Sequence, residues 1–163
     1  MTETPPTPET PVHGPQTRFD DDLLEHLTGD WKLSRRIRQQ LVENQVHVEW
    51  ILNHQFLQIH MKDIQTPSEY EALVHIGYEH EHQRYVIYWL DTFGGRFSEK
   101  GYGTRHGQSL RFVFQYPDGL LHNTFTCNAE DHTWHSLIEQ QDKQGQWSVF
   151  AEDRLQRRLA DET

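Results

Sequence analysis

Trp89 and Asp91 close the stretch "QRYVIYWLD", and in an extended chain they share one face with Tyr85 and Ile87. A carboxylate on an otherwise apolar face must be paired, either by a cation such as Arg35 or Arg111 or by a ligand's positive charge. The competing reading is a strand-end carboxylate that bonds the backbone of the following "TFGG" turn. Glu99 and Glu49 are weaker candidates of the same kind. His60, His75 and His122 each lie inside an apolar-rich stretch. Facing inward, such a residue would hydrogen-bond a ligand or shuttle a proton, and facing outward it would be solvated.

The chain holds twelve histidines, so metal binding has to be weighed. "HEH" (His80, Glu81, His82) falls in a predicted turn and "DHTWH" (Asp131, His132, His135) at the start of a strand. Neither supplies the separated, converging ligands of a closed zinc site, so both read as solvated residues and no metal or cofactor is expected. There is no Ser-His-Asp order, and "GGRFSEKGYG" has glycines but no helix whose N-terminus could hold a phosphate.

Something must position these residues. The 163 residues fit one domain with a sizeable core. Residues 1–17 hold five of the seven prolines and no aromatic residue, and read as a disordered tail; 18–158 form the domain and 159–163 a C-terminal tail. The net charge is -10, which argues against nucleic acid as a partner. No basic-then-apolar leader and no run of 18 apolar residues is present, so a cytoplasmic protein without a membrane anchor is expected. The single Cys127 cannot form an internal disulfide and reads as a core residue.

"FDDDLLEHL" (19–27) reads as a short helix, with acidic residues in its first turn and three leucines on one side. From there the period changes to two. Ten short segments rich in β-branched and aromatic residues follow: "WKLSRRIR", "QVHVEWIL", "QFLQIHMKD", "EYEALVHIGYE", "QRYVIYWLD", "GRFSEKGYG", "QSLRFVFQY", "GLLHNTFTCN", "TWHSLIEQQ" and "GQWSVFAEDRLQ". Turn-forming stretches such as "ENQ", "NH", "QTPS", "EHEH", "TFGG" and "PDG" separate them. Connections that short join antiparallel neighbours, giving an up-and-down meander. With no second layer to cover a sheet face, the expected fold is an all-β, closed antiparallel barrel of about ten strands behind a short N-terminal helix. An open sandwich is the alternative, but sandwiches usually need longer crossovers. Ten strands enclose more space than their own side chains fill, so a cavity is expected.

At the start of the first strand stands "LTGDWKLSR". Its Gly29-Asp30-Trp31 resembles the G-x-W signature of the calycin superfamily, which includes lipocalins and fatty-acid-binding proteins. In those families the Trp at the closed end of the barrel meets an Arg or Lys from the last strand. The resemblance implies that Gly29 and Trp31 close the barrel with Arg154, ahead of Arg157 and Arg158, through a cation–π contact. "VEWILNHQFLQI", "GYEHEHQRYVIYWLDTFGGRFSEKG" and "QWSVFAEDRLQRR" resemble a bacterial lipocalin-like family, the domain of unknown function numbered fifteen seventy-nine. One departure is His54, where that family's second hairpin usually has Gly. The likeness implies a small hydrophobic or amphipathic ligand and no particular reaction. A related group, the nitrobindins, binds haem through a late histidine, but residues 146–156 contain none, which disfavours haem.

Three functions remain open on the sequence. The first is a non-enzymatic barrel, monomeric or homodimeric, that takes an amphipathic ligand at the end opposite Trp31, with Arg35, His60, His75, Trp89, Asp91, Glu99, Arg111 and His122 as candidate ligand-binding residues. The second is an isomerase, cyclase or decarboxylase-type enzyme using an inward carboxylate and His. The third is an interaction module whose barrel is filled by its own aromatics.

Overall fold

The computed structural model describes residues 17–159. The expected tails, 1–17 and 159–163, lie almost wholly outside the described residues. Ten strands follow a four-residue helix α1 (Asp22–Glu25): β1 (Gly29–Ile37), β2 (Gln40–Ile51), β3 (Phe56–Asp63), β4 (Glu71–Glu79), β5 (Arg84–Asp91), β6 (Lys100–His106), β7 (Ser109–Tyr116), β8 (Gly119–Asn128), β9 (Thr133–Gln141) and β10 (Trp147–Arg157). Each strand pairs antiparallel with its neighbour in sequence, and β10 returns to pair with β1. The expected closed meander is therefore the observed fold, and the sandwich alternative is excluded.

Two details of the reading need correcting. The first hairpin does not turn at "ENQ", which lies inside β2; it turns at Arg38 and Gln39, whose φ values are 49° and 64°. Neither residue is the Gly or Asn that marks such a turn in sequence. The first half of "GRFSEKGYG" is not strand either. Gly95–Phe97 form a 3₁₀ turn in the β5–β6 connection, and β6 begins only at Lys100.

Alternation decides which side chains enter the lumen. On β1 the buried positions are Trp31, Leu33 and Arg35. At the α1 end the lumen is packed with Trp31, Trp134, Leu57, Ile76, Ile87, Leu110 and Phe112, all at most 1% exposed. Aromatics and leucines thus fill this half, contrary to a cavity running the length of the barrel. Burying each contributes about 1.5–3 kcal/mol.

The helix plugs the same end. Asp21 caps α1 by accepting from the Leu24 N–H at 2.8 Å, and Phe19, Leu23, Leu24 and Leu27 are buried against the barrel floor. Asp21 also accepts from the Tyr85 hydroxyl, while Arg105 reaches Asp22 at 2.7 Å and the Trp50 indole donates to Glu25 at 2.8 Å. His54 sits at φ 63°, at the end of three successive left-handed residues, where its Nδ1 hydrogen-bonds the Phe19 carbonyl and its ring stacks on Trp50. Those contacts give a physical reason for a His in place of the Gly such a turn favours.

At the floor, Trp31 donates its indole N–H to the Leu27 carbonyl at 2.7 Å. The cation over its ring is Arg157, with the guanidinium carbon 4.3 Å from the ring centroid. Arg157 also donates to the carbonyls of Thr28 and His26. Gly29 has φ 114°, a conformation that other residues rarely adopt, and a Cβ there would stand 2.8 Å from the Arg157 guanidinium, which would have to shift off its place. The expected partner Arg154 is on the opposite face of β10, paired across the sheet with Ser34 and His135. Arg157 is three residues further on, so it has the inward phase that Arg154 lacks.

Candidate functional site

Six strands carry a polar residue where the alternation calls for an apolar one. Arg35, Asn44, Asp63, Asn123, Ser136 and Asp153 are all between 1% and 8% exposed, and no other polar or charged side chain among the described residues is so deeply buried. Register makes them one continuous belt. Arg35 stands directly opposite Asp153, and Asp153 directly opposite Ser136. The Ser136 hydroxyl donates to Asn123 Oδ1 at 2.9 Å. On the other side Arg35 is diagonal to Asn44, which is directly opposite Asp63.

The belt is held by charge and hydrogen bonds. Arg35 donates through Nε and Nη2 to the two Asp153 carboxylate oxygens at 2.7 and 2.8 Å. Burial alone would push the guanidinium toward deprotonation, but these bonds and the Asp153 charge outweigh it and raise the Arg35 pKa. Asp63 Oδ2 accepts from the backbone N–H groups of Glu69 and Tyr70 at 3.1 and 3.0 Å. With the Ser68 hydroxyl as the largest influence, these donors hold the Asp63 carboxyl below the usual range, and it remains ionised at neutral pH.

Beyond the belt, toward the end opposite the helix, lie Tyr70, Trp89, Asp91 and Tyr116, each partly buried. Asp91 Oδ2 accepts from the Trp89 indole at 3.2 Å and the Tyr70 hydroxyl at 3.4 Å, and its Oδ1 from the Phe93 N–H at 3.0 Å. The strand-end reading of Asp91 is thus the observed one, with neutral donors rather than Arg35 or Arg111 as its partners. The Tyr70 ring has the Arg35 guanidinium 5.9 Å from its centroid, and burial raises its hydroxyl pKa. Burial, with the charges of Glu99 and Asp91 behind it, pushes Tyr116 up to about 12. Glu99 belongs to the β5–β6 connection at this mouth, beside exposed Phe93 and Phe97.

Four of the expected ligand-binding residues point away. His60 pairs with Glu71, His75 with Gln58 at 3.0 Å, His122 packs on Trp147 with rings 4.3 Å apart, and Arg111 reaches Thr124, all on the outer face. Each occupies the phase of its strand opposite to the buried, mainly apolar one. The lumen therefore does not pair a carboxylate with any of these histidines, and the acid/base couple proposed for an enzyme is not assembled. "HEH" and "DHTWH" contribute to two depressions outside the lumen. Among the described residues no three His, Cys, Asp or Glu side chains are grouped to hold a metal ion, and no helix is long and apolar enough to cross a membrane.

With ten strands closed and the belt in place, the relationship to other proteins can be stated. Residues 19–157 match the family model described as "Protein of unknown function (DUF1579)". The chain belongs to DUF1579. No curated protein matches it significantly. The DUF1579 match runs from Phe19, under the helical plug, to Arg157 over Trp31, so it includes the floor, the belt and the mouth.

Sequence reasoning reached Arg35, Trp89, Asp91 and Glu99 but missed Asp153, Asn44, Asp63, Asn123 and Ser136. The signal was present. "VENQVHV" places Asn44 in phase with Val42, Val46 and Val48; "FLQIHMKD" places Asp63 in phase with Leu57, Ile59 and Met61; "AEDRL" places Asp153 between Ala151 and Leu155. A polar residue in the apolar phase of six strands is the pattern to look for.

Proposed function

We propose that this protein is a small-molecule-binding barrel whose site is the half of the lumen opposite the helical plug, with the polar belt as the floor of the site. One observation carries this reading. All six deeply buried polar side chains of the described residues fall on one contiguous belt, between an apolar base and an aromatic mouth. Burying such groups opposes folding unless each is paired, so gathering them at one level of the lumen points to selection for binding. Apolar walls with a few converging polar groups are the general form of a ligand site. The walls here are Trp89, Tyr70, Tyr116 and Leu121, which suit the apolar part of an amphipathic molecule.

The same reading takes the protein as a lipocalin-like calycin, one domain over 18–158. Its support is the Gly29-x-Trp31 corner with a last-strand cation over the indole. A cytoplasmic setting is supported by the single thiol of Cys127, which is buried and has its pKa raised by that burial, as suits a structural cysteine.

The test is native mass spectrometry of the full chain purified from its own host, followed by a thermal-shift screen of lipids, haem and aromatic acids. A co-purified small molecule, or a saturable stabilisation that Trp89→Ala abolishes, is the expected outcome. Apo protein alone with no shift across the screen would reject the proposal.

A further inference from the structure

Two oxygens of the belt are left without a partner. Asn44 Oδ1 and Asp63 Oδ1 are fully buried and accept no hydrogen bond from the described residues. Asn44 and Asp63 are direct cross-strand neighbours on the lumen face of β2 and β3, so their Cβ atoms stand about 5 Å apart and a single donor group inserted between them would span both oxygens. A buried acceptor left unpaired costs about 1–3 kcal/mol, so two side by side create a place that rewards a donor.

The charges around this place select the kind of donor. The Arg35 guanidinium is engaged by both oxygens of Asp153, which cancels its charge locally. The other charges in the upper half of the lumen are the carboxylates of Asp63 and Asp91, with Glu99 at the mouth, and Asp91 is met only by neutral donors among the described residues. An anionic headgroup would find no unengaged cation on the belt. A cationic one would find two unpartnered oxygens, one of them on a carboxylate whose other oxygen is held by the Tyr70 N–H.

Accepting the upper lumen as the binding site, we infer that the ligand's polar end is a protonated amine on an apolar body, its ammonium bridging Asn44 Oδ1 and Asp63 Oδ1. The ammonium's three N–H groups suffice to satisfy both orphaned oxygens. The apolar body then runs outward along Trp89, Tyr70 and Tyr116 toward the mouth. The depressed Asp63 pKa agrees with this, because the carboxylate stays charged at neutral pH.

The test compares three probes of one chain length, hexylammonium, hexanoate and 1-hexanol, by titrating the full chain at pH 7 and reading tryptophan fluorescence and melting temperature. Hexylammonium is expected to bind at least about tenfold more tightly than 1-hexanol, with hexanoate weakest. Asp63→Asn should abolish the ammonium preference while 1-hexanol still binds. Asn44→Leu, which removes one acceptor without burying a charge, provides the same readout if Asp63→Asn does not fold. Hexanoate binding as tightly as hexylammonium would overturn the headgroup assignment and leave upper-lumen binding standing, as would an ammonium preference that survives both substitutions. If none of the three produces a saturable change, the headgroup assignment and the upper-lumen site fall together.

Discussion

Arg35 and Asp153 face each other across the seam where the last strand meets the first, joined by two hydrogen bonds of 2.7 and 2.8 Å inside the barrel. The pair therefore sits on the closure itself. Each side chain is at most 9% exposed, so neither charge has water to fall back on.

Removing one partner should expose that dependence. Asp153→Ala leaves a buried guanidinium uncompensated and is expected to lower unfolding free energy by about 3–5 kcal/mol in urea titration. Replacing both together, Arg35→Met with Asp153→Leu, should recover most of the loss. A single substitution costing under about 1 kcal/mol would show that the pair is hydrated in solution.

The floor offers a comparison of two arginines on one strand. Arg157→Ala removes the cation above Trp31 and the donor to Thr28 and His26, and should cost about 1–2 kcal/mol. Arg154→Ala, on the outer face, should stay within about 0.5 kcal/mol. Equal losses from thermal or chemical unfolding would contradict the floor described here.

Histidine titrations check the outer face. The hydrogen bond to Asp30, then that to Glu49, raises the His47 pKa above 6.5. Burial lowers those of His75 and His122, the latter helped by the charge of Arg111. His47 therefore stabilises the fold fully below pH 6.5 and loses that effect as pH rises through its folded pKa. His75 and His122 work in the other direction: their contribution is present above 6.5 and lost as pH falls through their lowered values. NMR should find the His47 midpoint above those of the other two, and His47→Gln should destabilise more at pH 6 than at pH 8. The reverse order would contradict these environments.

The sequence carried the architecture well because alternation and short turns are local signals. Ten apolar-alternating segments with connections too short for crossovers leave a meander, and a meander of that length closes. The turn at Arg38 and Gln39 was hidden because neither residue advertises a positive φ. The site was harder to see because belt partners are joined only by register across the seam. Counting up both strands from Trp31 and Arg157 brings Arg35 opposite Asp153, whereas counting from Arg154 puts every β10 residue on the wrong face. One misplaced arginine thus concealed the central ion pair. Face was also undecidable for His60, His75 and His122 until the inward phase of each strand was known.

The five tryptophans are natural reporters of where a ligand lands: Trp31 and Trp134 at the packed base, Trp50 beside the plug, Trp147 on the outer face and Trp89 between the belt and the mouth. The most direct measurement is a proton–nitrogen NMR titration of the full chain with hexylammonium, following the five indole N–H signals. Binding on the belt is expected to move the Trp89 signal in a saturable way while those of Trp50 and Trp147 stay fixed. A saturable shift at Trp147 or Trp50 with Trp89 unmoved would contradict a ligand site in the upper lumen.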